Sequence, residues 1–512
     1  MSGFASIAKN GGQGSLGSNT ANASSTSQFG EMLVAQLTPA SQAIFADGIN
    51  PLLFLTRSIG AGASVTETNG NAELQSGTAT TGSASVSMRK GVSYRAGQGS
   101  LFRGTALFGP PVDNTYKLVG FGNVECGYYF GYQGLNFGIH HFPDGIRSVW
   151  KLDVSAGGVA NASSVVVTLN GESKTYTING NSSENQTAWE ISQQDWTNVG
   201  GGWVAEEFDG NVYFIALRTG PRSGSYSATL TGSPIGVFTN FVSGSVPNAT
   251  FISQSAWNID TMDGNGPSRM VLDPTKGNVY QIGFQYLGYG NARFAIEDPQ
   301  TGQFQSCHMI KNANFRTTPV LRDPHVTGIW TASNNGSTTS THMSGASGAI
   351  FVEGNVLRNI GPSFSYYNSK TAIDNDPETP ILSIRANRIF RTQAGFGEIT
   401  PSTLTATVPG TGNHFMIVRI YKNARLTGPV NFTNVNSTQS IAAYDTAATG
   451  ITLNNGVLLA TYILPFADGQ IVVDLKGDNY SLASGDVLTI TGQAESATAA
   501  DLAVALTWFE DQ

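Results

Sequence analysis

The chain has 512 residues, 12% of them charged, and a formal net charge of −8. That length exceeds what one core serves and implies two to four domains. No dense Lys/Arg run occurs, Arg89-Lys90 being the nearest, so the electrostatic footprint of a nucleic-acid binder is missing. Neither a basic-then-apolar leader nor a span of about 18 apolar residues is present, which argues against a signal peptide and against membrane insertion.

Soluble domains ordinarily carry about 25% charged residues. Here Gly, Ser, Thr, Asn and Gln fill the deficit, giving a surface hydrated by hydroxyls and amides, whose solubility depends little on salt. Two cysteines, Cys126 and Cys307, cannot staple a chain of this size and read as buried free thiols.

Residues 1–27 are Gly/Ser/Asn-rich and almost free of apolar side chains, the composition of an arm that orders only on a partner. The next stretch is apolar but interrupted by Pro39, Gly48 and Pro51. It reads as an extended docking peptide, with Leu33, Val34, Leu37, Leu52, Leu53 and Phe54 as its contact residues. A polar tract over 58–81 then leads to the folded body, so 1–84 is expected to be arm and docking segment.

From about Ser85, short β-branched and aromatic runs alternate with Gly, Asn-Gly and Pro, the texture of a sandwich or barrel. Residues 128–132 and 136–140 form a hairpin, and 278–287, 292–297 and 303–310 a meander. Between them, 165–169 and 174–178 meet across Asn170-Gly171, a hairpin signal. Residues 184–194 are the best helix candidate. The expected fold class is therefore all-β: a concanavalin/laminin-G-like sandwich over 85–148 plus 247–362, a small inserted α+β domain over 149–246, and a C-terminal jelly-roll-like β-sandwich over 363–512.

Catalytic constellations are hard to assemble. Glu206 and Glu207 are neighbours on a strand and point to opposite faces, so they do not make the carboxylate pair of a glycosidase. No strand of the E-x-D-x-x-E type appears, and the chain is expected to be non-enzymatic. Asp374, Asp376 and Glu378 place three carboxylates within five residues, a weak calcium candidate that lacks EF-hand spacing; a solvated linker is favoured, and no cofactor is expected. His140-His141 are split by strand alternation and do not chelate one metal. Among the aromatic residues, Tyr129, Trp257 and Trp330 are the candidates for contacting a glycan or partner, although most rings in a β-protein of this kind belong to its core.

The runs Tyr94-Arg95-Ala96-Gly97-Gln98-Gly99-Ser100-Leu101-Phe102-Arg103, Gly127-Tyr128-Tyr129-Phe130-Gly131-Tyr132, Ala256-Trp257-Asn258-Ile259-Asp260 and Asp273-Pro274-Thr275-Lys276-Gly277-Asn278 resemble uncharacterised virion proteins of large algal DNA viruses and marine tailed phages. The resemblance spans about 85–350 and the C-terminal sandwich ending in Thr507-Trp508-Phe509-Glu510-Asp511. It implies a minor capsid, fibre or spike component at the particle surface and supplies no catalytic residues. The expected partners are other virion proteins, engaged through the N-terminal arm, and a host surface glycan or receptor. A homo-oligomer, with a trimer as the first guess, fits the avidity of fibres. A carbohydrate-binding adhesin and a concanavalin-like polysaccharide-degrading enzyme are the alternatives.

Overall fold

The computed structural model describes residues 36–511 apart from 96, 158–162, 179–182, 355–360, 392, 396, 410–413, 455, 467–468 and 476–479. Leu33 and Val34, and the 1–27 arm, lie outside the described residues.

The first body is a sandwich of two antiparallel sheets. One contains Thr250–Ser253, Asn136–Phe142, Gly127–Gln133, Thr115–Gly122, Thr327–Asn334, Ser83–Met88 and Phe54–Ile59, in that spatial order. The other runs Phe304–Ile310, Ala292–Glu297, Asn278–Phe284 and Ser100–Phe108. Ser100–Phe108 then changes partner along its length: its first half pairs with Ser347–Glu353, its end with His342–Gly345. The interior between the sheets is rich in rings. Trp330 meets Phe45 at 5.4 Å and Phe102 at 5.9 Å between ring centroids, both edge-on, the arrangement that ring quadrupoles favour.

This body begins well before residue 85, which corrects the expected docking segment. Leu37 opens the strand Leu37–Ile44, paired antiparallel to Ser347–Glu353. Phe54 is buried at the start of Phe54–Ile59, whereas Leu52 and Leu53 stay exposed in the turn before it. Pro39 disguised the first strand. It falls where the register shifts between Pro39 and Ser41 on an edge strand, a place that needs no ladder donor.

The inserted body has two four-stranded sheets. Trp203–Phe208, Asn211–Thr219, Arg147–Val154 and Gly236–Val242 form one, and Glu172–Ile178, Ser163–Leu169, Ser227–Leu230 and Ser233–Pro234 the other. The Asn170-Gly171 turn has φ of 51° and 89°, the left-handed pair that a tight hairpin requires and that Asn-Gly adopts at least cost. The helix Glu184–Ser192 is capped by the Ser183 hydroxyl, which accepts from the Gln186 N–H.

The third body is a jelly roll by strand order. Its eight principal strands are Ser363–Ile373, Thr379–Ala386, Glu398–Val408, Phe415–Lys422, Val457–Pro465, Gly469–Asp474, Val487–Ala494 and Ala500–Asp511. Numbered one to eight, they lie in the orders 1-8-3-6 and 2-7-4-5. The pairs 1·8, 2·7, 3·6 and 4·5 are those produced when a long antiparallel hairpin is rolled into two sheets. Period-two alternation carries it: Leu502, Val504, Leu506 and Trp508 are fully buried, while the residues between them are partly open.

Candidate functional site

The three bodies meet around a cavity of about 420 Å³. Its floor is the outer face of the seven-stranded sheet. Alternation sends Val86 and Met88 inward and leaves Ser85 and Ser87 outward, with Leu55 opposite Ser87 and Arg57 opposite Ser85 in register. Because the two serines are small, the face is low there and the covering bodies do not fill it. The inserted body supplies Trp189 and Glu206 to the wall, and the jelly roll supplies Arg385, Arg388 and Asp486.

Charge is the distinguishing feature of this lining. Six arginines and three carboxylates border the cavity, in a chain that is acidic overall. The buried carboxylates near it are already committed. Glu206 lies 3.1 Å from the Arg385 guanidinium and accepts from the Arg388 backbone N–H at 2.9 Å. Asp486 lies 3.2 Å from both Arg89 and Lys422 and accepts from the Asn423 amide at 2.9 Å. Glu125 holds Arg147 at 3.0 Å and also pairs with Arg322. The Arg388 guanidinium packs against Gly485, where a side-chain carbon would meet it, and donates to the Ser484 carbonyl at 3.4 Å.

These pairs tie the bodies together. Arg89–Asp486 joins the first sandwich to the jelly roll, and Arg385–Glu206 joins the jelly roll to the insert. Glu207 strengthens the second seam by accepting from the Phe432 N–H at 3.2 Å and from Gly210 at 3.1 Å. Burial pushes its pKa up to about 7 against the opposing pull of Arg385. Trp189 completes the seam, donating its indole N–H to the Leu426 carbonyl at 3.3 Å and packing on Phe432. Glu206 and Glu207 are thus structural anchors, each reaching the jelly roll.

The rings expected to contact a ligand are core residues instead. Trp330 is fully buried and donates to the Thr105 carbonyl at 2.8 Å. Trp257 packs on Phe130, and the buried Tyr129 hydroxyl donates to the Asn123 carbonyl at 2.9 Å. Strand alternation turns Tyr129 and Trp330 toward packed neighbours, and Trp257, at the end of the short 3-10 turn Gln254–Ala256, packs into the same body, so all three are corrected as contact candidates. Exposed rings lie elsewhere: Tyr367 is 62% exposed on the strand Ser363–Ile373, and Tyr289 is 42% and Phe315 73% exposed in two loops tied by Asn312, whose amide donates to the Gly290 carbonyl and whose N–H donates to Asn291, both at 2.8 Å. Phe315 was missed because a single ring in a polar loop has no periodic signature.

The acidic turn does not gather into a metal site. Glu378 pairs with Arg419 at 3.2 Å and accepts from Tyr421 and Thr491, while Asp374 accepts from the Asn375 N–H and Asp376 is exposed. Among the described residues no three His, Cys, Asp or Glu side chains come together. Cys126 and Cys307 are buried and unpaired with each other.

No family model matches the chain, and no curated protein does. Solved structures give distant matches. The chain is similar to the Emp47p carbohydrate recognition domain at 9% identity, over 62% of this chain and 98% of that one, with a TM-score of 0.25. A legume lectin-like domain from Entamoeba histolytica matches at 9% identity, over 63% and 100%, with a TM-score of 0.24. A putative beta-glucanase from Mycobacterium abscessus matches at 7%, over 61% and 100%, with a TM-score of 0.25.

Proposed function

We propose that this chain is a surface protein of a virus particle that displays β-sandwich bodies for attachment, with the Tyr289 and Phe315 loops as the contact surface. The observation that carries the reading is the exposure of these two rings on loops fixed by Asn312. Rigid exposed rings bring large contact area at low entropic cost, and they suit both sugar faces and protein partners. The jelly roll is an architecture shared by viral capsid and lectin domains, which fits the reading without selecting between them. Sugar recognition is the attachment chemistry tested below.

The test has two arms. Particles purified on a density gradient and washed in high salt are assayed by mass spectrometry for this polypeptide; recovery only in the soluble fraction overturns the particle role. Purified protein is applied to a glycan array beside a Tyr289→Ala/Phe315→Ala double variant. Binding by the native chain that the variant loses supports sugar recognition; no binding, or equal binding by both, overturns it.

A further inference from the structure

Arg57 has no carboxylate and no hydrogen-bond acceptor among the described residues, although it lies on the floor of the three-body cavity. The charges acting on it are those of Arg147, Arg388 and Arg89, all of its own sign. Burial together with this repulsion pushes its pKa down to about 9. Arg57 is half-buried, and guanidinium groups partly withdrawn from water are ordinarily paired, because an uncompensated charge at a low-dielectric surface is unfavourable. The nearby carboxylates do not serve it. Glu206, Asp486 and Glu125 are each engaged by at least two donors, one of them a different arginine in every case, and Glu398, the remaining carboxylate of the lining, makes no ion pair with Arg57. The site therefore has a place for negative charge that the chain does not fill.

We propose that the cavity binds a small ligand carrying an oxyanion, a sulfate, phosphate or carboxylate group, held by the Arg57 guanidinium on the floor and Arg388 on the jelly-roll wall. Planar guanidinium forks are the side chains best matched to such groups. The volume of about 420 Å³ lies within the range of about 300–1,000 Å³ typical of small-molecule sites, so the anionic group can belong to a larger molecule such as an acidic sugar. Ser85, Ser87 and Gln193 line the same space and offer neutral donors. Because the walls come from three bodies, the ligand binds only their assembled arrangement and so stabilises it. The inference does not rest on the attachment role.

The experiment is isothermal titration calorimetry on the full chain at fixed ionic strength, with inorganic sulfate, inorganic phosphate and glucuronate as separate probes. The expected result is a saturable one-site isotherm with at least one probe. Affinity should fall roughly tenfold or more in Arg57→Gln, the loss expected for one charge-assisted hydrogen bond, and fall less in Arg57→Lys, which keeps the charge but not the planar fork. A preference for glucuronate identifies an acidic sugar, and a preference for the inorganic ions a free tetrahedral anion. Absence of any isotherm, or equal affinity in Arg57→Gln, overturns the proposal. Hydrogen exchange on the native chain gives a test that needs no variant. The bound probe should slow exchange in 54–59, 83–88 and 483–488; slowing confined to other segments overturns the assignment.

Discussion

The first sandwich and the jelly roll are both two-sheet antiparallel bodies, yet they fill their interiors differently. Among the described residues, fourteen of the forty in the first core cluster are aromatic, against two of twenty-five in the jelly-roll cluster. Rings bring polar handles with them. The Trp330 indole needs the Thr105 carbonyl, and the Tyr129 hydroxyl needs Asn123. The first body also buries three imidazoles, His140, His141 and His308, whereas the jelly roll buries none among its described residues. One architecture thus supports an apolar interior rich in rings and imidazoles, and another whose apolar core is mostly aliphatic.

Acid should separate the two most strongly. Burial pushes His140 down to about 3 and His141 and His308 to about 4. Each folded value lies below the unfolded one near ~6.5, so this stability is fully present above pH ~6.5 and is lost as pH falls through 4 and then 3. For His140 and His141 together the loss is roughly 5–8 kcal/mol, and His308 adds in the same direction. Pulsed hydrogen exchange at pH 4.5 should show protection failing in 115–142 while the jelly-roll strands keep theirs. Simultaneous loss in both bodies would break the comparison.

Truncation in the cores sharpens it. Trp330→Ala removes a fully buried ring that touches Phe45 and Phe102, and it strands the Thr105 carbonyl. The cost should be about 4–5 kcal/mol in urea unfolding, against about 3 for Leu506→Ala, where only aliphatic volume is lost. Equal losses would show that the rings add nothing beyond their size.

The seam between insert and jelly roll is a third probe, since it tests whether the bodies unfold as one. Glu206→Ala leaves the Arg385 guanidinium buried without its carboxylate, a change that typically costs about 3–5 kcal/mol. Glu206→Met with Arg385→Met should recover much of that loss, because an apolar pair has no charge to desolvate. Calorimetry of the single variant should resolve separate transitions for the two bodies. A single undivided transition would show that the ion pair does not set their coupling.

Much of this fold was legible in local patterns. The Asn170-Gly171 hairpin, the helix after Ser183 and the alternation of Leu502 to Trp508 each depend on a few consecutive residues. What was hidden depended on distant ones. Leu37–Ile44 finds its partner some three hundred residues away at Ser347–Glu353, and Pro39 obscured its alternation. Tyr129, Trp257 and Trp330 could be assigned to neither face before the two sheets were set against each other. The cavity draws Arg57, Arg147, Glu206, Arg388 and Asp486 from separate stretches of chain, so no motif spacing could announce it.

Glu207 supplies the smallest and most selective prediction, because its pH dependence runs opposite to that of the histidines. Its folded pKa of about 7 lies above the unfolded value near 4.5, so the folded chain holds this proton more tightly. That contribution is fully present below pH ~4.5 and is lost as pH rises through 7, by roughly 3 kcal/mol. Glu207→Gln removes the titration while keeping one oxygen to accept from Gly210 or Phe432. Its absolute stability should drop, since the amide turns a donor toward one of those N–H groups. Its slope between pH 5 and 8 should nonetheless be flatter than that of the native chain for the transition reporting the insert and jelly-roll seam. An unchanged slope would place the proton elsewhere and leave the seam held by Arg385–Glu206 and Trp189 without titrating in this range.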